Sequence, residues 1–502
     1  MGLFFSAPRH WLPRADRPLM QATKPEYYSE DESARNRNCA IGAVAIVIGY
    51  LIIFAGDGLF AYFTPDDMMN LYGAWFRPVI EADRPMGAIF YRGLFAAFGL
   101  NPLPYRIGCL LLLLINLGLL YAFCFHLSRS REVAALACLL GAYHAHLADL
   151  YYSTGTVYDL LCGVFYLAAF VYYARVRLDG HPPGWRQMLL FLLLYISALS
   201  AKEMAVTLPM SILLYDLLYH PPKRASESVW RWVVREARIL GPAIMVTGAL
   251  FIRKTAGPVR MIGNPDYQPH LAWSSFMAAW KHYAFDLFYG TVKFNQFRIV
   301  LLWAVLMGIA WIARRRALLY AFAFLFLGIL PVAFIPPRGF FAIYLTLPGW
   351  YLFAATGLVL ARDALGRRFH LHWCNSWTNA PEAAVFIGVA LILFPLHWRE
   401  KPLGRRWVAE AHASVRSVAA PLRKAADPLP LRARVLFLSD PFPKDDWILT
   451  FIFRLHYRDD GIRVDRVKAM RVYPDQVAQT TYDRIFRMDG STLTMLPLPL
   501  SN

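Results

Sequence analysis

Long apolar runs separated by short arginine-bearing loops recur from residue 39 to residue 397, and a water-soluble core cannot bury so many of them. The first extends from Cys39 to about Ala55. Others follow at 105–127, 132–150, 155–174, 188–201, 204–219, 239–252, 298–313, 317–335, 340–361 and 382–397. Composition agrees: 57% of the 502 residues are apolar, 17% are charged, and the mean hydropathy is +0.37. Soluble domains are about 45–50% apolar and about 25% charged. Disorder, collagen and a disulfide scaffold are excluded on the same figures. Six cysteines form no CxxC pair and fall mostly inside apolar runs, so neither a disulfide framework nor a zinc site is expected. The formal charge of +18 points to basic cytoplasmic loops rather than to nucleic acid. The expectation is an all-α polytopic membrane protein.

Charge placement orients the runs. Residues 1–38 are polar and basic, too long for the n-region of a cleaved leader, so the Cys39 run should remain as an anchor behind a cytoplasmic segment. Arg129 and Arg131, then Arg175, Arg177 and Arg186, then Lys223 to Arg238, mark basic loops. Arg314 to Arg316 and Arg362, Arg367 and Arg368 mark two more. If all face the cytoplasm, an even number of spans separates any two. Residues 188–219 must then cross twice, turning near Lys202–Glu203. The sum is about 11 transmembrane helices over 39–397, with the C-terminus outside.

Two outer segments are long. Residues 56–104 hold two helical patches, Asp66 to about Ala82 and Met86 to Phe98. Residues 254–297 end in an aromatic amphipathic helix, Trp273 to Tyr289, suited either to an interfacial belt or to holding a lipid chain. Residues 398–502 change character: a basic helix at Arg405–Ala426, a strand at Arg434–Ser439, a helix at Trp447–Tyr457 and a strand at Ile462–Met470. This suits a small C-terminal α/β appendage on the outer, periplasmic side.

Thr64-Pro65-Asp66-Asp67 supplies an acidic pair just outside the first span. Such carboxylates can serve as a general base, and equally they can start a helix, with Thr64 as N-cap and Pro65 in the first turn. Arg338 and Lys202 lie at outer span ends, where a cation can bind a phosphate or merely reach for the interface. Lys202–Glu203 can also be a local ion pair. His144 and His146 lack a clear third metal ligand. Asp149 and Asp159 are acids at the membrane edge, open to a functional or a capping role. Asp440 to Asp446 follows a strand and reads as ordinary loop chemistry.

Taken in order, these features form a pattern. Asp66-Asp67 is followed by Arg84-Pro85, Tyr91-Arg92, Phe98-Gly-Leu-Asn-Pro102, His144-Ala-His146 with Asp149, Ser153-Thr-Gly155, Ser200-Ala-Lys202-Glu203, and Arg338 to Tyr344-Leu-Thr-Leu-Pro348-Gly349. Over roughly residues 40–360 the set resembles the GT-C glycosyltransferases, above all the branch of protein O-mannosyltransferases and their TPR-bearing relatives. No TPR array follows, and the tail from about 400 departs from that pattern. The resemblance implies a GT-C-like, inverting membrane glycosyltransferase that moves a sugar from a polyprenyl-phosphate-linked donor to an acceptor on the outer face. It implies Asp66 or Asp67 as base, Arg338 and Lys202 at the donor phosphate, and Glu203, His146, Asp149 and Tyr344 near substrate. No resident cofactor or metal ligand set is implied, although a divalent cation would suit the acidic pair. The setting that fits is a bacterial inner membrane, with membrane lipids as neighbours, the site toward the periplasm, and a protein, lipid or glycan acceptor.

Two rivals belong to other classes. A transporter or flippase for a lipid-linked saccharide would want mid-span polar residues and inverted repeats. A non-catalytic scaffold would leave the outer acids dispensable.

Overall fold

In the computed structural model, residues 30–179, 181–222, 228–256, 267–368, 380–424, 428–470, 481–489 and 492–496 are described. Most of the expected cytoplasmic segment 1–38, and Cys374, lie outside them. Helix α1 (Glu30–Ala55) leads through a 3-10 turn to two surface helices, α2 (Pro65–Phe76) and α3 (Pro85–Phe98). Both begin with proline in the first turn, where its missing N–H costs nothing. Gly99, at φ +55°, ends α3 in a backbone conformation that favours glycine. Asn101 then caps α4 (Pro102–Ser128). A bent pair follows, α5 (Arg131–Gly141) and the short α6 (Ala148–Tyr152), then α7 (Val157–Val176), α8 (Trp185–Ala201) and α9 (Leu208–Tyr219). Next come α10 (Val229–Ala256), α11 (Trp273–Leu287), α12 (Gln296–Ala313), α13 (Arg316–Ala333) and α14 (Leu347–Arg368).

All eleven expected apolar runs are helical, yet they are not equal. Among the described residues six helices are long and apolar enough to cross a membrane, or seven if α5 and α6 form one span. The other four expected spans fall on α8, α9, α10 and α14, which are shorter or more polar. Helix α8 has 17 residues and α9 only 12, because the chain breaks into extended backbone at Lys202. Helix α14 starts at Leu347 and carries Arg362, Asp363, Arg367 and Arg368. The protein is an integral membrane protein, and its apolar side chains on α12, such as Phe297, Leu301, Val305 and Ile312, face outward as a lipid environment requires.

Ion pairs show which helix ends lie together. At one end, Asp159 at the start of α7 meets Lys202 after α8. At the other, Arg177 after α7 reaches Asp216 near the end of α9 at 3.2 Å and Glu236 of α10 at 3.4 Å. Helix α9 therefore runs back from the Lys202 break to the Arg177 end, as two crossings demand. The Arg177 end also gathers Glu132 with Arg362, and Tyr219 against the Leu127 carbonyl, so the arginine-rich loops cluster there.

Helix α15 (Ala380–Lys424) is continuous for 45 residues, about 67 Å at 1.5 Å per residue. The composition change at 397–398 thus falls inside a helix, which continues from the bundle to the C-terminal unit. That unit holds β1 (Arg434–Ser439), α16 (Ile448–Tyr457), β2 (Arg463–Arg466), β3 (Arg484–Asp489) and β4 (Thr492–Leu496). The sheet order is β2-β1-β3-β4, with β1 parallel to β2 and β3, and β4 antiparallel to β3. The sequence analysis anticipates β1, α16 and a longer β2, and misses β3 and β4. Phe437 and Phe486 pack against Phe453 of α16. Helix α16 in turn lies on α2: Phe451 stacks on Tyr72 at 4.4 Å, and Arg458 covers Trp75 and Phe95.

Replacing Arg177 by Met would leave Asp216 buried without its cation, while Glu236 keeps Arg235 at 3.0 Å. The expected loss is about 3–5 kcal/mol, typical of a buried pair stripped of one partner. It should appear as a clear fall in unfolding temperature in detergent, while Arg314→Met on an exposed turn changes little.

Candidate active site

The acidic pair opens α2, and its two members do different things. Thr64 accepts from the Asp67 backbone N–H at 3.2 Å, and the Asp67 carboxylate accepts from the Thr64 N–H at 2.8 Å, a reciprocal capping box. Asp67 is fully buried. Its Oδ1 also accepts from Ser153 Oγ at 2.9 Å and from the Gly155 N–H at 2.5 Å. Its Oδ2 takes a further bond from the Arg106 guanidinium at 3.2 Å. Arg106 is itself buried and reaches the Ala61 and Tyr62 carbonyls. Asp67 therefore ties the start of α2 to α4 and to the turn before α7.

Asp66 is exposed and makes no hydrogen bond or ion pair among the described residues. It lies over Gly155, where an added Cβ would come within 3.3 Å of the Asp66 Cβ. Neighbouring protein hems it in. Lost hydration, and then the Asp67 charge, raise its pKa above the usual carboxylate range; Arg338 opposes that shift, and Asp446 adds to it. Asp66 thus lies within electrostatic range of an arginine from the α13–α14 connection and a carboxylate from the C-terminal unit.

The cations differ in the same way. Lys202 is bound to Asp159 at 2.5 Å, with only 12% and 6% of the two side chains exposed. Glu203 pairs with Arg84 at 3.0 Å, so the two neighbours each hold a partner from another element. Arg338 lies over the Tyr267 ring at 4.6 Å, and no described carboxylate comes within ion-pair distance of it. Its backbone is fixed from α11: His282 contacts the Arg338 carbonyl at 2.8 Å, and Tyr283 accepts from the Arg338 N–H.

The remaining candidates surround this centre. His146 stands 3.4 Å from Asp286, which also meets His282, so His146 is joined through α11 to the Arg338 segment. His144 stacks on Tyr289 at 4.2 Å and serves packing. Asp149 is buried, within electrostatic range of Asp66, Asp67 and Asp159, and has no ion-pair partner among the described residues. Tyr344 lines a cavity of about 30 Å³ with Asn116 and Gly163, room for about one water inside the bundle. Among the described residues, no three His, Cys, Asp or Glu side chains converge as metal ligands.

Sequence reasoning missed Arg106 and the Asp159–Lys202 pairing. The first left a signal: an arginine one turn into an apolar span requires a partner. The second left none, since 43 residues separate the two groups.

The fold and site together define an integral membrane protein whose polar centre lies at one end of a helical bundle, beneath a small α/β unit. No protein-family model matches the chain, and no curated protein matches it. Among solved structures, it is similar to the crystal structure of ArnT from Cupriavidus metallidurans in the apo state. The similarity covers 85% of this chain and 86% of that one, at 14% identity and a TM-score of 0.46, a level that by itself carries neither fold nor function.

Because Asp67 holds the local fold and Asp66 does not, their amide variants should separate. Asp67→Asn places an N–H against groups that already donate, and should cost roughly 1–3 kcal/mol. Asp66→Asn should leave the unfolding temperature in nanodiscs unchanged.

Proposed function

We propose that this protein is a GT-C-like glycosyltransferase that transfers a sugar from a polyprenyl-phosphate-linked donor to an acceptor at the membrane surface, with inversion at the anomeric carbon. One observation carries the reading: an unpartnered Asp66 with a raised pKa lies within electrostatic range of Arg338, a guanidinium with no carboxylate partner among the described residues. Inverting displacement needs a base on one side of the anomeric carbon and a stabilised leaving phosphate on the other.

In this reading Asp66 takes the proton from the acceptor hydroxyl or amine as that atom bonds to the anomeric carbon. The carbon–oxygen bond to the polyprenyl phosphate breaks, and the phosphate leaves toward Arg338. Asp67 is a positioning residue, since both its oxygens are taken up by four hydrogen bonds from Thr64, Ser153, Gly155 and Arg106 and leave no place for an acceptor. Lys202 is a secondary phosphate ligand that would have to share its charge with Asp159. Glu203, His146, Asp149 and Tyr344 shape the surroundings. The division into a cytoplasmic segment, a transmembrane region and a periplasmic C-terminal unit, in a bacterial inner membrane, belongs to the same proposal. A lipid-linked-saccharide transporter is the alternative, but an acid and an arginine that influence each other electrostatically, neither with an ion-pair partner among the described residues, favour catalysis.

Turnover can be followed as release of polyprenyl phosphate from radiolabelled donors in nanodiscs. Asp66→Asn should lower it by about 10²–10⁴-fold, the usual contribution of a general base. Retained turnover would remove Asp66 from the mechanism.

A base must be ionised, so the rate should rise with pH through the Asp66 pKa, above the ordinary carboxylate range. Asp446→Asn removes a charge that raises this pKa and should move the rising limb to lower pH. Arg338→Ala removes the opposing charge and should move it higher, together with weaker donor binding. A limb unmoved by either change would assign the titration to another group.

A further inference from the structure

The C-terminal sheet carries arginines opposite one another at one edge. Arg434 of β1 and Arg463 of β2 are register partners on adjacent parallel strands. Like charges opposite one another weaken a sheet. Arg432 stands beside them, with φ +57°. An added Cβ at Gly461 would approach the Arg432 stem to 2.5 Å, so the absence of a side chain there lets Arg432 lie across the strand approach. Together with Asp459 and Asp460 these residues line an open recess of about 570 Å³.

The acids in the recess do not neutralise the arginines. Asp459 accepts from the Arg432 and Gly461 backbone N–H groups at 2.6 and 2.8 Å. Asp460 accepts from Tyr72 of α2 and from Arg454. Arg434 meets Asp465 only at 3.5 Å, on an exposed face, and leans over Tyr482. The side chains of Arg432 and Arg463 have no carboxylate partner among the described residues.

We propose that this recess binds a phosphate ester, with Arg432 and Arg463 as its principal ligands and Arg434 at its side. Planar guanidinium groups converging without acid partners suit phosphate oxygens, which accept paired N–H donors. The ligand offsets the repulsion between Arg434 and Arg463. The recess adjoins α2 through Tyr72, six residues or about 9 Å along the helix from Asp66, so it is distinct from the Arg338 cation and does not rest on the transferase reading.

The test is titration of pyrophosphate into the full chain in phosphatidylcholine nanodiscs at low ionic strength, with Arg338→Ala present to remove the other cation without a carboxylate partner and Lys202 left bound to Asp159. One site is expected. R432Q/R463Q should weaken it by at least about tenfold, R432K/R463K should recover only part of it because the charge stays while the paired N–H donors go, and neither variant should unfold at a lower temperature than the parent. Phosphorus NMR in discs containing phosphatidylglycerol distinguishes the source. A lipid phosphate signal broadened by the parent but not by R432Q/R463Q identifies a headgroup; broadening confined to added pyrophosphate identifies a soluble phosphate ligand. Absence of binding by the parent, or equal binding by R432Q/R463Q, overturns the assignment.

Discussion

The buried carboxylate of Asp67 is the junction on which the polar end of the bundle depends. Through four hydrogen bonds it joins the first turn of α2, the first turn of α4 and the turn that opens α7. A charge buried to this degree persists only when cations and N–H donors replace the lost water. Arg106 and the Gly155 N–H supply that replacement, and Arg106 also gathers the Ala61 and Tyr62 carbonyls behind α1. The strain-free helix start and the buried ion pair are therefore one structure, not alternatives.

Once Asp67 is fixed, its neighbour is left in a defined position with nothing to bind. Adjacent residues at a helix start point in different directions, about 100° apart, so one can face inward while the other faces the opening. The same division recurs among the cations, with Lys202 held by Asp159 and the Arg338 side chain resting on the Tyr267 ring with no ion-pair partner among the described residues. Groups committed to ion pairs build the walls, and Asp66 and Arg338 carry no such commitment among the described residues.

The helical character of the bundle was legible because apolar periodicity and loop arginines are local signals. The break at Lys202 was legible too, since two basic loops require an even number of crossings between them. The relative lengths of the helices were less so: α8 and α9 are cut short by a polar turn at Lys202, and hydropathy alone does not show how far each helix extends. Strands β3 and β4 escaped because short mixed-polarity segments such as Arg484–Asp489 have no strong alternation and gain their place only by pairing with β1 and with each other. The acidic pair was visible, but the unequal roles of Asp66 and Asp67 depend on Arg106 and Gly155, which are 39 and 88 residues away from Asp67.

Helix α2 gives these separate parts a common frame. Its first turn presents Asp66, and its next turns carry Tyr72 and Trp75, on which Phe451 and Arg458 of α16 rest. Contacts advance along both helices in the same direction, so the start of α16 and the preceding Asp446 lie toward the Asp66 end. Arg466 braces that loop from β2, holding Asp440 at 2.7 Å and the Phe442, Pro443 and Asp446 carbonyls. The C-terminal unit is thus joined to the bundle twice, by the continuous α15 and by the α2–α16 contact. A tethered appendage free to swing would place no fixed charge near Asp66. Two attachments on different elements make Asp446 a fixed part of the electrostatic setting of Asp66.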